Sequence, residues 1–263
     1  MTYYGTLKKI TPLILAMGLY YCGDKEPDNT ADATGKGGKG GSGGSVSTGA
    51  GGNGGNSGGA GGSDCIQNNP SGTVEGATIN NYVVEGETVD EALSDIFDSE
   101  NGKGFPGENG QRFAGQTDCK LGYNSYSMKF KGPTYNEQKE CCYTASVDGK
   151  PAYYKATINI PQWSGCDHCW DVMLDGLLKH EKEHADACKN ITEQLAADIA
   201  SATSTACNHS CNDAFTAAGD ALEAKLNQLL TDATAKYDQQ SKDYDTATGH
   251  GQTQGATYDP NCK

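Results

Sequence analysis

Basic side chains are scarce in this chain. Its 263 residues include 20 lysines and arginines against 34 aspartates and glutamates, so the formal net charge is −14 at pH 7. A protein that binds nucleic acid needs a basic surface, because its lysines and arginines must replace the counterions of the phosphates. We therefore expect no nucleic-acid partner.

Long apolar segments are also missing. The apolar stretch over residues 10–21 follows Lys8 and Lys9 and is too short to cross a bilayer as a stable helix, which is typical of an export signal. Cys22 comes directly after it, so the sequence predicts a lipoprotein-type signal peptide over residues 1–22, with Cys22 lipidated. The preceding Leu19-Tyr20-Tyr21 matches a lipobox only at Leu19, which leaves a plain secretory peptide or an uncleaved anchor as the alternative.

Apolar side chains are almost absent from the next segment as well. Residues 23–63 are polar and then rich in glycine and serine, so we expect a disordered linker with a mean reach on the order of 35 Å. Residues 64–263 then form one folded domain. The expected location is the cell envelope, either lipid-anchored to a membrane through Cys22 or secreted.

Cysteine, in contrast, is plentiful. The chain has 11 cysteines, and setting Cys22 aside leaves an even number, which predicts disulfide bonds in an exported protein. Adjacent Cys141 and Cys142 must have different partners. The pairs Cys166/Cys169 and Cys207/Cys211 have spacings that a four-thiolate zinc site or, for the first pair, a redox motif would use. A continuous helix between the pairs would be near 60 Å long and would hold them apart, so structural disulfides are favoured.

Sequence patterns predict an α+β fold in which a small antiparallel sheet precedes a long C-terminal helical hairpin. Alternating or β-branched segments indicate strands over residues 77–84, 121–130 and 153–160, and residues 99–115 have the composition of a glycine-rich loop. A short helix is expected over 88–97. The hairpin is predicted from two long helices, over about 167–206 and 212–244.

The strongest motif is His180-Glu181-Lys182-Glu183-His184, the HExxH constellation of zinc peptidases. Two histidines four residues apart lie side by side on a helix. Neutral imidazole suits zinc at about 2.0–2.1 Å, and the neighbouring carboxylate of Glu181 can accept a proton from water. On a helical wheel both histidines fall within one apolar stripe. That stripe comprises Trp170, Met173, Leu177, Cys188, Ile191 and Leu195. The alternative is an amphipathic helix with two hydrogen-bonded core histidines.

A catalytic zinc ion needs a third protein ligand. The predicted second helix offers none on its apolar stripe, and the remaining candidates are poorly placed on the first helix or in the hairpin turn, namely Glu183, Asp198, His168 and His209. His250 remains, in a glycine-rich tail where the chain can turn back. In a straight hairpin it would overshoot the metal by roughly 20 Å. An exposed tail histidine is therefore the alternative.

Four segments together resemble the bacterial family of unknown function numbered 922, whose members are described as predicted secreted zinc-dependent proteases. The segments are Tyr82-Val83-Val84-Glu85-Gly86, Ile160-Pro161-Gln162-Trp163, the HExxH segment, and the tail from Tyr244 to Ala256 with its His250-Gly251. The resemblance covers nearly all of the expected domain. It implies His180, His184 and His250 as metal ligands, Glu181 as general base and zinc as cofactor.

The resulting hypothesis is an exported zinc metallopeptidase that hydrolyses peptide bonds through a zinc-activated water, with Glu181 as general base. The substrate would be a peptide or protein, or alternatively a cell-wall amide. Tyr244 or Tyr258 is a candidate donor to the oxyanion, although either is equally explained as a packed tyrosine. The alternative function is a non-catalytic, disulfide-stabilised surface lipoprotein that binds a metal or a partner.

Overall fold

The computed structural model describes residues 72–74, 76–107, 110–149 and 151–262. The predicted signal peptide, the linker, Cys22 and Cys65 lie outside this part of the chain. The described part is α+β, as predicted. Its strands are β1 (Gly72–Val74), β2 (Ala77–Val83), β3 (Phe105–Pro106), β4 (Arg112–Phe113), β5 (Gln116–Tyr123), β6 (Ser127–Tyr135), β7 (Cys141–Asp148), β8 (Ala152–Gln162) and β9 (Thr203–Asn208). Its helices are α1 (Val89–Phe97), α2 (His168–Ser201) and α3 (Cys211–Thr248), followed by a 3₁₀ turn, Gln252–Gln254. Among these helices none is long and apolar enough to span a bilayer.

The strands form separate small sheets. One has the order β1-β2-β8-β5, a second pairs β6, β7 and β9, and β3 pairs with β4 inside the segment predicted to be a loop. All pairs are antiparallel except β2 with β8, which run parallel with Ile79 opposite Ile158. The predicted antiparallel pairing is thus confirmed, with several small sheets in place of one and with the parallel β2–β8 pair in addition. Distant parallel strands require a long crossover connection, which local patterns do not reveal.

The first long helix ends earlier than predicted. Helix α2 stops at Ser201, although the helix was predicted to run to about residue 206. Residues 203–208 instead form strand β9 beside β7. Alternating Thr203 and Thr205 favour extended backbone because their branched side chains are restricted in a helix. The disulfide between Cys142 and Cys207 fixes the same pairing covalently. Tertiary pairing thus overrides the helical pattern here.

Strand β9 also accounts for the 20 Å overshoot. From His184 to the end of α2 is about 26 Å of helix, whereas from the start of α3 to Asp245 is about 51 Å. The six residues of β9 carry the chain roughly 20 Å further before α3 begins. The longer helix therefore returns to the level of His184 rather than passing it.

Helix α2 lies across the larger sheet and carries the site. Its buried residues Met173, Leu174 and Leu177 pack in one core with Ile158 and Ile160 of β8. Complete burial of such side chains contributes roughly 1.5–3 kcal/mol each. A second core joins α3 to the β6-β7-β9 sheet. It contains Leu195, Ile199, Ala218, Leu222, Leu226 and Leu230. The two cores hold the middle of α2 and the last turns of α3 in fixed relation.

Disulfides tie these elements together, as the cysteine count predicted. The four described pairs are Cys119–Cys188, Cys141–Cys211, Cys142–Cys207 and Cys169–Cys262. Cys166 is also disulfide-bonded. Adjacent Cys141 and Cys142 have different partners, as expected. Because the thiols of both spaced pairs are oxidised, the four-thiolate zinc site is excluded.

Candidate metal centre

The two histidines of the HExxH segment lie one above the other on α2, as the helical wheel predicted. His180 is 3% exposed, His184 is 7% exposed, and their Nε2 atoms are 3.2 Å apart. A helix brings residues i and i+4 onto one face, so the spacing in sequence produces this contact directly. Both Nε2 atoms point toward the end of α3.

Asp245 completes the group. Its Oδ1 lies 3.1 Å from Nε2 of His180 and 3.0 Å from Nε2 of His184. Within the described part of the chain, these three residues form a cluster of potential metal ligands. The three atoms form a nearly equilateral triangle. Ligands about 2.0–2.1 Å from a tetrahedral zinc ion are separated by about 3.3–3.4 Å, so the triangle has the size that such an ion requires.

The proton on His180 can be assigned from its other nitrogen. Its Nδ1 lies 2.9 Å from Oε1 of Gln254, and Nε2 of Gln254 donates to the Tyr244 hydroxyl at 2.7 Å. Because Oε1 is an acceptor, Nδ1 must carry the proton, which leaves the lone pair of neutral His180 on Nε2. Nδ1 of His184 similarly contacts the Ser241 hydroxyl at 3.3 Å. Lone pairs converging on one carboxylate oxygen need a cation between them, and the residues therefore fit zinc.

The tail after α3 delivers Gln254 to His180. Gly249 ends α3 in the left-handed conformation, and the chain turns back along α2. The turn approaches closely at Gly176, where a Cβ atom would lie 2.4 Å from the carbonyl carbon of Gly255. Cys262 then bonds Cys169 near the start of α2. The disulfide thus anchors the tail at a point after Gln254, the residue that contacts Nδ1 of His180.

Glu181 lies beside the histidines and is 4% exposed. Its Oε2 accepts a hydrogen bond of 2.8 Å from the Thr117 hydroxyl at the start of β5. Its Oε1 faces Gly115, where a Cβ atom would come within 2.7 Å. A side chain at position 115 would collide with Oε1, so Glu181 can take this position only beside a glycine. Neither Thr117 nor Gly115 was predicted as a site residue, because their contacts with Glu181 join segments that are far apart in sequence.

Burial and charge set the protonation of the carboxylates. Burial raises the pKa of Glu181 above its usual value. In the metal-free protein burial also acts to raise the pKa of Asp245, but the contacts of its carboxylate with His180 and His184 hold that pKa well below its usual value. The pKa values of the two neighbouring carboxylates are thereby moved apart, so that Asp245 is anionic and Glu181 is the stronger base. This division suits one for a ligand and the other for a proton acceptor.

The group opens onto a cleft of about 780 Å³. It is lined by the three candidate ligands, by Glu181 and by a group of apolar side chains, here called the apolar wall. That wall includes Leu93, Phe97, Phe105, Pro106 and Phe113. Phe97 is 44% exposed, which is unusual for a large apolar side chain. A cleft with an apolar wall and a few convergent polar groups is the usual form of a binding site.

His250, predicted as the third ligand, lies at the edge of this cleft rather than within the ligand triangle. Its Nδ1 is 3.9 Å from Oδ1 of Asp245, and its side chain is 48% exposed. Its ring stacks on Phe113 with centroids 4.3 Å apart. Asp245 takes the position that sequence analysis gave to His250. Asp245 directly follows the predicted end of the second helix at Tyr244; in α3 it lies four residues after Ser241 and so on the same side of the helix as Ser241 and Tyr237.

The two tyrosines considered as oxyanion donors have other contacts. Tyr244 stacks on His180 with ring centroids 5.1 Å apart, and its hydroxyl accepts from Gln254. Tyr258 lines the cleft but its hydroxyl lies 3.4 Å from Oδ2 of Asp167, the residue that caps the start of α2. Tyr244 therefore packs against His180, a candidate ligand, and Tyr258 is held beside the N-terminal end of α2.

Comparison with known proteins identifies the family only. A family model described as "Bacterial protein of unknown function (DUF922)" matches residues 79–251, which is more than half of the chain. The match includes the ligand triangle, Glu181 and His250. No curated protein and no solved structure matches the chain.

Proposed function

The chain belongs to the DUF922 family of bacterial proteins of unknown function, and we propose that it is a zinc-dependent hydrolase of peptide bonds that acts outside the cytoplasm. One observation carries this proposal. A triangle of His180, His184 and Asp245 lies beside a buried carboxylate, Glu181, on the floor of an open cleft. Two histidines and one carboxylate form a donor set used by catalytic zinc sites, which keep a fourth position for water or substrate.

The metal would be held by Nε2 of both histidines and by Oδ1 of Asp245. When bound, zinc supplies a Lewis acid that polarises a carbonyl group and lowers the pKa of water. Gln254 and Ser241 hold the histidine rings in the orientation that this requires. Asp245 supplies the negative charge that makes the site selective for a cation, and imidazole with carboxylate suits zinc, although other divalent ions also fit this donor set.

Glu181 would move the proton. Thr117 donates to Oε2, which fixes the carboxylate plane and leaves Oε1 toward the cleft side of Gly115. Burial raises its pKa and so makes it a better base near neutral pH. In hydrolysis the water oxygen bonds to the amide carbon, Glu181 accepts the water proton, and the carbon–nitrogen bond breaks as that proton passes to the leaving amine.

An extracytoplasmic location agrees with the cysteines. The four described disulfides are consistent with an extracellular or secreted protein, because such bonds persist in oxidising compartments. We further propose attachment to a membrane through a lipidated Cys22. The substrate we propose is a peptide or protein segment that enters the cleft in extended form.

Glu181→Gln tests the proposal against Glu183→Gln, an exposed neighbour on the other side of α2. Both variants and the parent are purified oxidised, their zinc is measured by elemental mass spectrometry, and hydrolysis is screened on a quenched-fluorescence peptide library. We expect about one zinc per chain in all three and hydrolysis in the parent and Glu183→Gln only. Loss of general acid–base catalysis lowers rates by typically 10²–10⁴-fold. Absence of zinc from the parent would refute the metalloenzyme, and equal hydrolysis by Glu181→Gln would refute the mechanism.

A further inference from the structure

We infer that His250 is a catalytic hydrogen-bond donor of this cleft and not a metal ligand. The inference rests on the proposed hydrolase function and assigns a second residue to the same reaction. Its ring N–H would bind the amide oxygen as that oxygen gains negative charge during attack by water. The residue thereby differs from His180 and His184, whose nitrogens point at Asp245.

Distance separates His250 from the ligands. The three candidate ligand atoms are 3.0–3.2 Å from one another, whereas Nδ1 of His250 is 3.9 Å from one of them, Oδ1 of Asp245. This places the ring just outside the triangle, within reach of a group bound at a fourth position. A donor to a developing oxyanion must occupy such a place, near the metal and directed at the substrate oxygen.

Exposure distinguishes the three histidines in the same way. His180 and His184 are buried and orient on protein groups, as ligands do. The side chain of His250 is 48% exposed and lines the cleft. A residue that touches substrate must be open to the cleft, and a ligand need not be.

The backbone of His250 is held in an unfavourable conformation. Its φ angle is +53°, in the left-handed region that a side chain other than glycine seldom adopts. The backbone N–H of His250 donates to the carbonyl of Asp245 at 2.8 Å, and Gly251 behind it also has a positive φ. Glycine at position 250 would relieve this cost. Strained residues held by their surroundings concentrate at functional sites.

Phe113 fixes the ring. The two rings stack with centroids 4.3 Å apart and planes 28° apart, and Phe113 belongs to β4 on the apolar wall of the cleft. The stack covers a face of the ring and leaves its edge uncovered, where Nδ1 lies 3.9 Å from Oδ1 of Asp245. A fixed donor costs little reorganisation when charge develops, and one such donor contributes about 10²–10³-fold to the rate.

The test compares His250→Ala and His250→Gln with His209→Ala and Asp245→Ala in the full oxidised protein. His209 is the matched control, because its side chain is 81% exposed and it lies in the connection before α3. Zinc affinity is measured by competition with a chromogenic chelator. We expect His250→Ala and His209→Ala to remain within about threefold of the parent, and Asp245→Ala to lose at least 100-fold. A comparable loss in His250→Ala would make His250 a ligand and overturn the inference.

Two further measurements test the donor. At saturating zinc, His250→Ala should lower kcat by about 10²–10³-fold with KM little changed, and His250→Gln, which keeps an N–H, should recover part of the loss. A phosphonamidate peptide, whose tetrahedral anion resembles the attacked amide, should bind His250→Ala more weakly by a similar factor. Unchanged kcat and unchanged phosphonamidate binding would overturn the inference. If the parent hydrolyses no peptide, the proposed function fails, whereas a phosphonamidate affinity that depends on His250 would still support the donor.

Discussion

Gln254 offers the sharpest test of how the tail controls the metal centre. Its Oε1 accepts from Nδ1 of His180 at 2.9 Å, and its amide N–H₂ group donates to the Tyr244 hydroxyl at 2.7 Å. Gln254→Ala removes both bonds. His180 is only 3% exposed, so the deletion leaves a buried N–H without its acceptor. The tautomer that protonates Nε2, and so blocks the metal, then gains population.

The expected effect of Gln254→Ala is a loss of zinc affinity. Replacing the partner that orients a ligating histidine typically costs 10–100-fold in metal affinity, which is about 1.4–2.7 kcal/mol at 25 °C. Gln254→Glu should restore most of it, because a carboxylate also accepts from Nδ1. Gln252→Ala is the matched control, since Gln252 is exposed in the same 3₁₀ turn.

Chelator competition measures the zinc affinity of these variants, and the visible absorption of the Co²⁺-loaded protein reports the geometry of the ligands. We expect the spectrum of Gln254→Ala to change and that of Gln252→Ala to match the parent. A Gln254→Ala variant with parental affinity and an unchanged spectrum would refute the tautomer argument. Thermal denaturation of the metal-free forms separates an effect on the ligand from a general loss of fold.

Two other predictions concern the same centre. Gly115→Ala places a methyl group 2.7 Å from Oε1 of Glu181. We therefore expect parental zinc content, strongly reduced hydrolysis and a loss of ~1–3 kcal/mol in the free energy of unfolding. Parental hydrolysis together with parental stability would refute this close approach. In the metal-free protein the pKa of His180 is raised, because its hydrogen bonds to Asp245 and Gln254 outweigh burial, which acts to lower it. The pKa of Asp245 is lowered. The His180–Asp245 pair therefore contributes most between about pH 4 and pH 6.5, and its contribution is lost as pH rises through the raised histidine pKa or falls through the lowered aspartate pKa. A charge-assisted bond contributes ~1.5–3 kcal/mol, so we expect the metal-free melting temperature to be roughly 5 °C lower at pH 8.5 than at pH 6; Asp245→Asn should reduce this difference, and an equal difference in both proteins would contradict the assignment.

Local periodicity made the first half of the site predictable. The spacing of His180 and His184 fixes their common direction on any helix, and the apolar stripe of α2 fixes which side is buried. The short helix predicted over 88–97 is likewise confirmed as α1, which Thr88 caps through a capping box with Glu91. These features depend on residues close in sequence.

The other half depends on contacts between distant segments. Asp245 reaches the histidines only because α2 gives way to β9, and β9 forms because Cys207 and its neighbours pair with β7. Thr117 contacts a residue 64 positions away, and Gln254 one 74 positions away. Contacts between residues so far apart leave no local pattern in a single sequence from which they could be predicted. His250, the predicted third ligand, lies 3.9 Å from Asp245, whose carboxylate contacts both histidines of the motif.

Disulfides explain how so dispersed a site keeps its geometry. Cys119 follows Thr117 by two residues on β5 and bonds Cys188, one helical turn after His184, so the link holds Thr117 against Glu181. Cys262 ties the tail that carries Gln254 to α2. These two covalent links therefore each lie close to one of the long-range contacts that orient the site. Because a metal site requires ligands and their supports to be held in place before the ion binds, the links serve preorganisation as well as stability.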